Sequence, residues 1–205
     1  MVKTQLERCA WCGDDPLYVD YHDEEWGVPE FDNTALFERL LLEGMQAGLS
    51  WFTVLKKREH MRKRFFDFEP ERLARAGARE MKSWLEDPGL IRNRAKLDSV
   101  VGNARATLAL SGPSKGELPG GGLSKFVWSF VGDQPVQNRW LNVKDVPGHT
   151  STSVDLSTAL KKAGFKFVGP TICYAFMQSA GLVNDHLLSC PSHQRCAELG
   201  VDWKR

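Results

Sequence analysis

Apolar residues in this chain recur at helical spacing almost from end to end, and this period limits the fold more than any other feature of the sequence. Leu36, Phe37, Leu40, Leu41 and Met45 mark one helix, with Asp32-Asn33 as its N-cap. Ser50 caps a second, which runs from Trp51 through Val54 and Leu55 to Phe65. Leu97, Val100, Val101, Ala104 and Leu108 mark a third. Shorter helical pieces fit residues 70–76, 78–86 and 124–131. Leu156 and Leu160 share a face until Gly164, and a further helix starts at Pro170, a residue suited to a first turn, and ends at Gly181. No stretch alternates apolar and polar residues over a useful strand length. The expected fold class is all-α.

Between these helices, Ser111 to Gly122 contains three consecutive glycines and two prolines and reads as a flexible loop. Residues 132–152 are irregular and polar, suited either to linking two lobes or to connecting helices within one domain. At 205 residues, with 42% hydrophobic and 26% charged side chains, a single globular domain over 1–205 is expected. No apolar run approaches the roughly 20 residues of a membrane span, and the N-terminus lacks the apolar stretch of a secretory signal. A cytoplasmic protein with no membrane partner is expected, with a monomer as its simplest state. Five cysteines without an export signal argue against a disulfide framework.

Lys+Arg number 27 against 26 Asp+Glu, so the chain as a whole is not a basic nucleic-acid binder. The charge is uneven, however. Residues 14–25 are acidic, and Lys56, Lys57, Arg58, Arg62, Lys63 and Arg64 form a basic run, either a solvated helix face or a local phosphate site.

Three groups of residues carry chemistry. Cysteines and histidines cluster at the two ends: Cys9, Cys12 and His22 early, His186, Cys190, His193 and Cys196 late. Thiolate and imidazole are the ligands of tetrahedral zinc. Spacing alone pairs Cys9-x-x-Cys12 with two of the late candidates, and places His186 and Cys190 on one face if they lie on a helix. The second group, Leu160 to Thr171, has glycines at both bends and lysines at 161, 162 and 166. It suits either an ordinary helix corner or a helix-hairpin-helix grip on a phosphate backbone. The third interleaves aromatics with carboxylates in Tyr18–Gly27 and Glu43–Trp51. Glu43 interrupts the apolar end of a leucine-rich helix, so it is either paired in the interior or aimed into a pocket for a flat, positively charged ligand.

At these residues the sequence resembles the bacterial 3-methyladenine DNA glycosylase I family, a divergent all-helical branch of the helix-hairpin-helix glycosylases. The matching stretches are DPLY at 15–18, YHDEEWGVP at 21–29, LEGMQAGLSWFTVLKKR at 42–58, FVWSFV at 126–131, GFKFVG at 164–169 and GLVNDH at 181–186. The chain departs from the family's pattern in the Gly120–Gly122 loop and after Cys190.

The resemblance implies one structural Zn2+ held by Cys9, His22, His186 and Cys190, from segments 9–22 and 186–190, and so prefers His22 to Cys12. Cys12, His193 and Cys196 match no ligand position. Glu43, Tyr21 and Trp51 match the residues that hold the excised base, Tyr18 and Trp26 are their neighbours, and Trp11 helps wall the site. Residues 160–181 match the helix-hairpin-helix element, with Gly164, Lys166, Gly169 and Thr171 as DNA contacts, and the Gly48-Leu49 turn as a probe of the base stack. The implied activity is monofunctional release of 3-methyladenine from alkylated double-stranded DNA, leaving an abasic site. The wider superfamily uses an aspartate soon after the hairpin; Asp185 lies near that region but is not assigned as catalytic. A lesion-binding module without cleavage and a zinc hydrolase are the competing classes.

Overall fold

The computed structural model describes residues 7–110 and 121–202. Most of the loop expected at Ser111–Gly122 lies outside the described residues. The described residues form ten α-helices: α1 (Pro16–Glu24), α2 (Asn33–Gln46), α3 (Trp51–Arg64), α4 (Pro70–Leu73), α5 (Ala78–Glu86), α6 (Arg94–Leu110), α7 (Leu123–Trp128), α8 (Ser151–Lys162), α9 (Pro170–Ser179) and α10 (Pro191–Asp202). The mostly helical expectation holds, with one small departure: β1 (Val136–Gln137) and β2 (Val183–Asn184) pair in parallel. Two residues per strand are too few to leave an alternating pattern in sequence.

The caps read from sequence are made. Asp32 accepts hydrogen bonds from the Thr34 and Ala35 amides, and Ser50 Oγ accepts from Thr53 N. Pro170 opens α9 with Gly169 as its N-cap. The piece expected over 70–76 shortens to Pro70–Leu73. Two helices escaped the apolar pattern. Helix α1 has Asp15 as N-cap and Pro16 in its first turn, but it buries Tyr21 and His22 rather than an aliphatic stripe. Helix α10 begins at Pro191 and buries Ser192 and Cys196, which leaves little apolar period to detect.

Helix α2 is the axis of the molecule. It packs against α3, α6, α7 and α9, and α9 also packs against α8. Its Leu36, Phe37, Leu40, Leu41, Leu42 and Met45 are all buried, a nearly all-round burial that only a central helix satisfies. Gly44 permits a close approach to the α8–α9 connection: a Cβ there would lie 3.2 Å from Phe167 Cβ. No helix among the described residues is long and apolar enough to cross a membrane.

The end of α9 is stitched to residues 27–30. Gly27 N donates to Gln178 O (3.1 Å) and Glu30 N to Ala180 O (3.1 Å). Gly181 turns the chain there at φ +70°, and a Cβ would meet Pro29 N and Val28 C at 2.5 Å. Both are backbone atoms and cannot yield as a flexible side chain would. Gly181→Ala is therefore expected to lower the stability by about 2 kcal/mol or more, read as a fall in the urea midpoint. An unchanged midpoint would show that this junction relaxes freely.

Candidate functional site

Four ligand-type side chains meet beneath the surface. Cys9 precedes a single 3-10 turn (Ala10–Cys12), His22 lies on α1, and His186 and Cys190 lie between β2 and α10. All four are buried, and one ligand atom from each falls within 4.8 Å of the others. Cys190 Sγ stands 3.6 Å from His22 Nε2 and 3.7 Å from His186 Nδ1, and Cys9 Sγ stands 3.7 Å from His186 Nδ1. The remaining imidazole nitrogens are held from outside, His22 Nδ1 against Asp23 Oδ1 (2.7 Å) and His186 Nε2 against the Trp26 carbonyl (2.8 Å). That outer support is the usual companion of metal-bound histidine. The Cys9 thiol and the two imidazoles hold Cys190 below the ordinary thiol range, which favours the thiolate that a metal ion requires. The donor set fits a metal ion.

Spacing and geometry part company here. His186 and Cys190 are not on a helix; a turn with Cys190 N donating to Leu187 O (2.8 Å) brings them together instead. Cys12 falls outside the group, because the 3-10 turn points its Sγ back at Cys9 O (3.2 Å). His193 contacts the Asn138 carbonyl (2.8 Å), and Cys196 is buried without joining the four.

Beside this cluster lies a cavity of about 340 Å3. Trp11, Tyr18, Tyr21, Trp26 and Trp51 form its aromatic walls, and Glu43 lies among them. The rings brace one another: Trp11 lies 5.2 Å from Tyr18 and 4.9 Å from Trp26, and Tyr21 lies 5.2 Å from Trp51. Trp26 also meets the His186 ring edge-on at 4.6 Å, which ties the wall to the Cys/His cluster. Trp51 Nε1 is a buried donor with no hydrogen-bond partner.

Glu43 is 3% exposed. Burial pushes its carboxyl up to about 8, against the opposing pull of the Ser179 hydroxyl and the Arg39 guanidinium. The Tyr21 phenol is raised well above its ordinary value by burial and by Glu43. A cationic ligand in this space would favour the carboxylate, which is the chemistry expected of a pocket for a positively charged ring.

The remaining candidates lie on the surface nearby. Gly48 (φ +76°) turns the chain after α2 and leaves Leu49 41% exposed. Buried Lys96 holds this turn from behind, donating to Met45 O (2.8 Å) and Ala47 O (2.7 Å). The α8–α9 connection carries Gly164 at φ +96°. Asn103 pins the Lys166 backbone through both its N–H and its C=O (2.8 and 3.0 Å), while the residue itself is exposed. Gly169 and Thr171 flank Pro170 at the opening of α9, with Thr171 exposed. The basic run on α3 is largely engaged within the molecule. Arg58 makes paired bonds to Glu25 (2.6 and 2.7 Å), Arg62 pairs with Glu38 and Glu59, Arg64 with Asp87, and Lys57 donates to the Pro88 and Gly89 carbonyls.

Residues 11–193 match the family described as methyladenine glycosylase. The chain belongs to this family. It is 52% identical over 184 residues to the DNA-3-methyladenine glycosylase of Haemophilus influenzae, covering 90% of this chain and 96% of that protein. It is 51% identical over 185 residues to DNA-3-methyladenine glycosylase 1 of Escherichia coli, with the same coverage. Among solved structures, the Staphylococcus aureus 3-methyladenine DNA glycosylase I superposes with a TM-score of 0.84 at 38% identity, covering 90% of this chain and 95% of that one. That structure is described as the basis of 3-methyladenine recognition.

The cavity of this family member also contains residues that pattern reading missed: Gln46, Val143, Val146, Ala175, Gln178 and Leu187. Only Gln46 left a signal, since it follows Glu43 by three positions on the same helical face. The others reach the cavity from distant segments. Two outcomes follow from the geometry. Metal analysis of the purified chain is expected to find one ion per molecule, lost in His22→Ala and kept in Cys12→Ala; the reverse result would overturn the cluster as a metal centre. For Glu43, a folded pKa above the unfolded one means proton uptake on folding, so its contribution to stability falls as pH rises from about 4.5 to about 8. Glu43→Gln should therefore gain about 2–4 kcal/mol on the wild type between about pH 5 and pH 8, measured by urea denaturation. A pH-independent difference would show that Glu43 titrates normally.

Proposed function

We propose that this chain is a monofunctional DNA-3-methyladenine glycosylase, hydrolysing the N-glycosidic bond of the lesion in alkylated double-stranded DNA and leaving an abasic site for base excision repair. The observation that carries this is the buried carboxylate of Glu43 inside an aromatic cavity, in a chain belonging to the methyladenine glycosylase family. Relatives at 51% and 52% identity are named for the same activity, which supports the reading.

Methylation at N3 gives the adenine ring a positive charge and weakens its bond to the sugar. The base departs neutral as a good leaving group, water adds to the sugar carbon, and a proton is released. The chain's task is then extraction and recognition more than acid–base catalysis. Flipping the nucleotide costs a few kcal/mol, less for a damaged base. Phosphate contacts and insertion of the Gly48-Leu49 turn into the stack would offset that cost. Tyr21 and Trp51 stack on the flipped ring, with cation–π attraction of about 0.5–2 kcal/mol. Tyr18, Trp26 and Trp11 complete the wall. Glu43 accepts hydrogen bonds from the adenine amino group; guanine offers a carbonyl there, and the unpaired carboxylate disfavours it by roughly 1–3 kcal/mol.

Residues 160–181 would serve as the helix-hairpin-helix element. The first amides of α9, at Gly169 to Thr171, suit a phosphate at a helix N-terminus, with Gly164 and exposed Lys166 alongside. The metal is read as one Zn2+ on Cys9, His22, His186 and Cys190. The separations of 3.6–3.7 Å between the sulfur and nitrogen atoms of these side chains would suit one ion held among them, and two thiols with two imidazoles are a donor set that zinc favours. Four protein ligands would leave no open position, so the ion's part would be structural, joining segments 9–22 and 186–190 of a single domain.

The test is the bases released from N-methylated duplex DNA by the wild type and by Glu43→Gln, with metal content and folding checked in both. The wild type is expected to release 3-methyladenine, and the variant to do so roughly 10- to 100-fold more slowly. Equal rates would remove Glu43 from recognition. DNA binding without release would make the chain a lesion-binding module, and immediate loss of activity on chelation with the fold intact would make the metal catalytic.

A further inference from the structure

Asp185 is a buried carboxylate in the cavity wall to which the proposed chemistry assigns no part. Its two oxygens face different segments. Oδ1 accepts from Asn138 Nδ2 (2.6 Å) and Trp140 Nε1 (2.7 Å), both in the irregular stretch after β1. Oδ2 accepts from Tyr174 Oη (2.6 Å) and Gln178 Nε2 (2.8 Å), both on α9. Four donors occupy the roughly four lone-pair sites of a carboxylate. None is left to take a proton from water or to attack a sugar. Each oxygen instead holds one side of the cavity. Gln178 and Ala175 line it from α9, and Val143 and Val146 line it from the stretch that Trp140 anchors.

We infer that Asp185 is a positioning residue whose carboxylate fastens residues 138–146 to α9 and so sets the width of the base pocket. The reading of the pocket as a base site comes from the proposed function; the fastening does not depend on it. Between the paired strand β1 and Val146 the stretch has few other fixings. Residues 141–145 are all exposed, with Leu141 at 73%. Its other hydrogen bonds to the rest of the molecule are Leu188 N to Trp140 O (3.0 Å) and the His193 contact to Asn138 O (2.8 Å), and at its far end Val146 packs against the core. Those ties and the α2-centred core remain when Asp185 changes, so the loss should be local.

The test compares Asp185→Asn, Trp140→Phe and the double variant, each with its metal content measured. An asparagine cannot accept at its NH2 group, so one pair of donors is orphaned; the phenylalanine removes a single donor and keeps an aromatic, though smaller, ring. In Asp185→Asn, hydrogen exchange of the amides over 139–146 and of Leu188 is expected to quicken at least about tenfold, with α2 and α6 unchanged. Affinity for free 3-methyladenine, by calorimetry, should fall about tenfold, with KM for alkylated DNA rising to match and kcat moving far less. Trp140→Phe should shift the same measurements in the same direction by less, and it carries the test if Asp185→Asn does not fold. The double variant should be no worse than Asp185→Asn, since both act through one bond network. Unchanged exchange over 139–146, or a fall in kcat alone with base affinity intact, would overturn the inference. If the wild type released no 3-methyladenine while Asp185→Asn still loosened 139–146, the proposed activity would fail and the fastening would stand.

Discussion

The two ends of the chain meet in a buried cluster of two thiols and two imidazoles, and the aromatic wall of the cavity depends on that meeting. Cys190 reaches His22 across 168 positions of sequence, and Cys9 reaches His186 across 177. All five cysteines are free, so no disulfide does this work. Trp11 sits two residues beyond Cys9 and packs 5.2 Å from the His22 ring, while Trp26 packs 4.6 Å from His186. Cys9 and Leu187 themselves line the cavity. Four polar side chains buried together are costly unless something satisfies them, and a bound ion would do so while closing the two segments on each other.

Helix α2 has to serve the core and the site at once. Its leucines and Phe37 require burial on nearly every side, and that same burial strips water from Glu43 near its C-terminal end. The carboxyl is driven upward because the fold cannot move it outward without losing α2's packing. Lys96 completes the arrangement from α6 by binding the last carbonyls of α2, which fixes the Gly48-Leu49 turn one step beyond the pocket. If Glu43 receives a cationic base as proposed, recognition and the stability of the empty protein pull against each other at one residue.

Much of this was legible in order along the chain. Asp32 and Ser50 mark their helices because a capping bond is local, made within three residues. Helix α1 was equally marked by Asp15-Pro16, but its buried side chains are Tyr21 and His22, which an apolar count passes over. Glu43 stood out as a carboxylate in a leucine-rich face, with both of its possible environments left open by the pattern. The resemblance, carried by long stretches such as YHDEEWGVP, selected His22 over Cys12, a choice that spacing alone made the other way.

The sequence by itself therefore determined the helical period, the caps, the chemistry available at each end, and the family. Each of these is written in neighbouring residues or in residue type. The tertiary structure alone decided that Cys12 turns to the Cys9 carbonyl, that His186 and Cys190 meet through a turn, and that most of the α3 cations are spent on internal partners. It also decided that residues 138–146, polar and without period, become a wall of the cavity. Such placements depend on contacts between positions far apart in sequence, where no local spacing rule applies, and on a core that must be packed before the site exists.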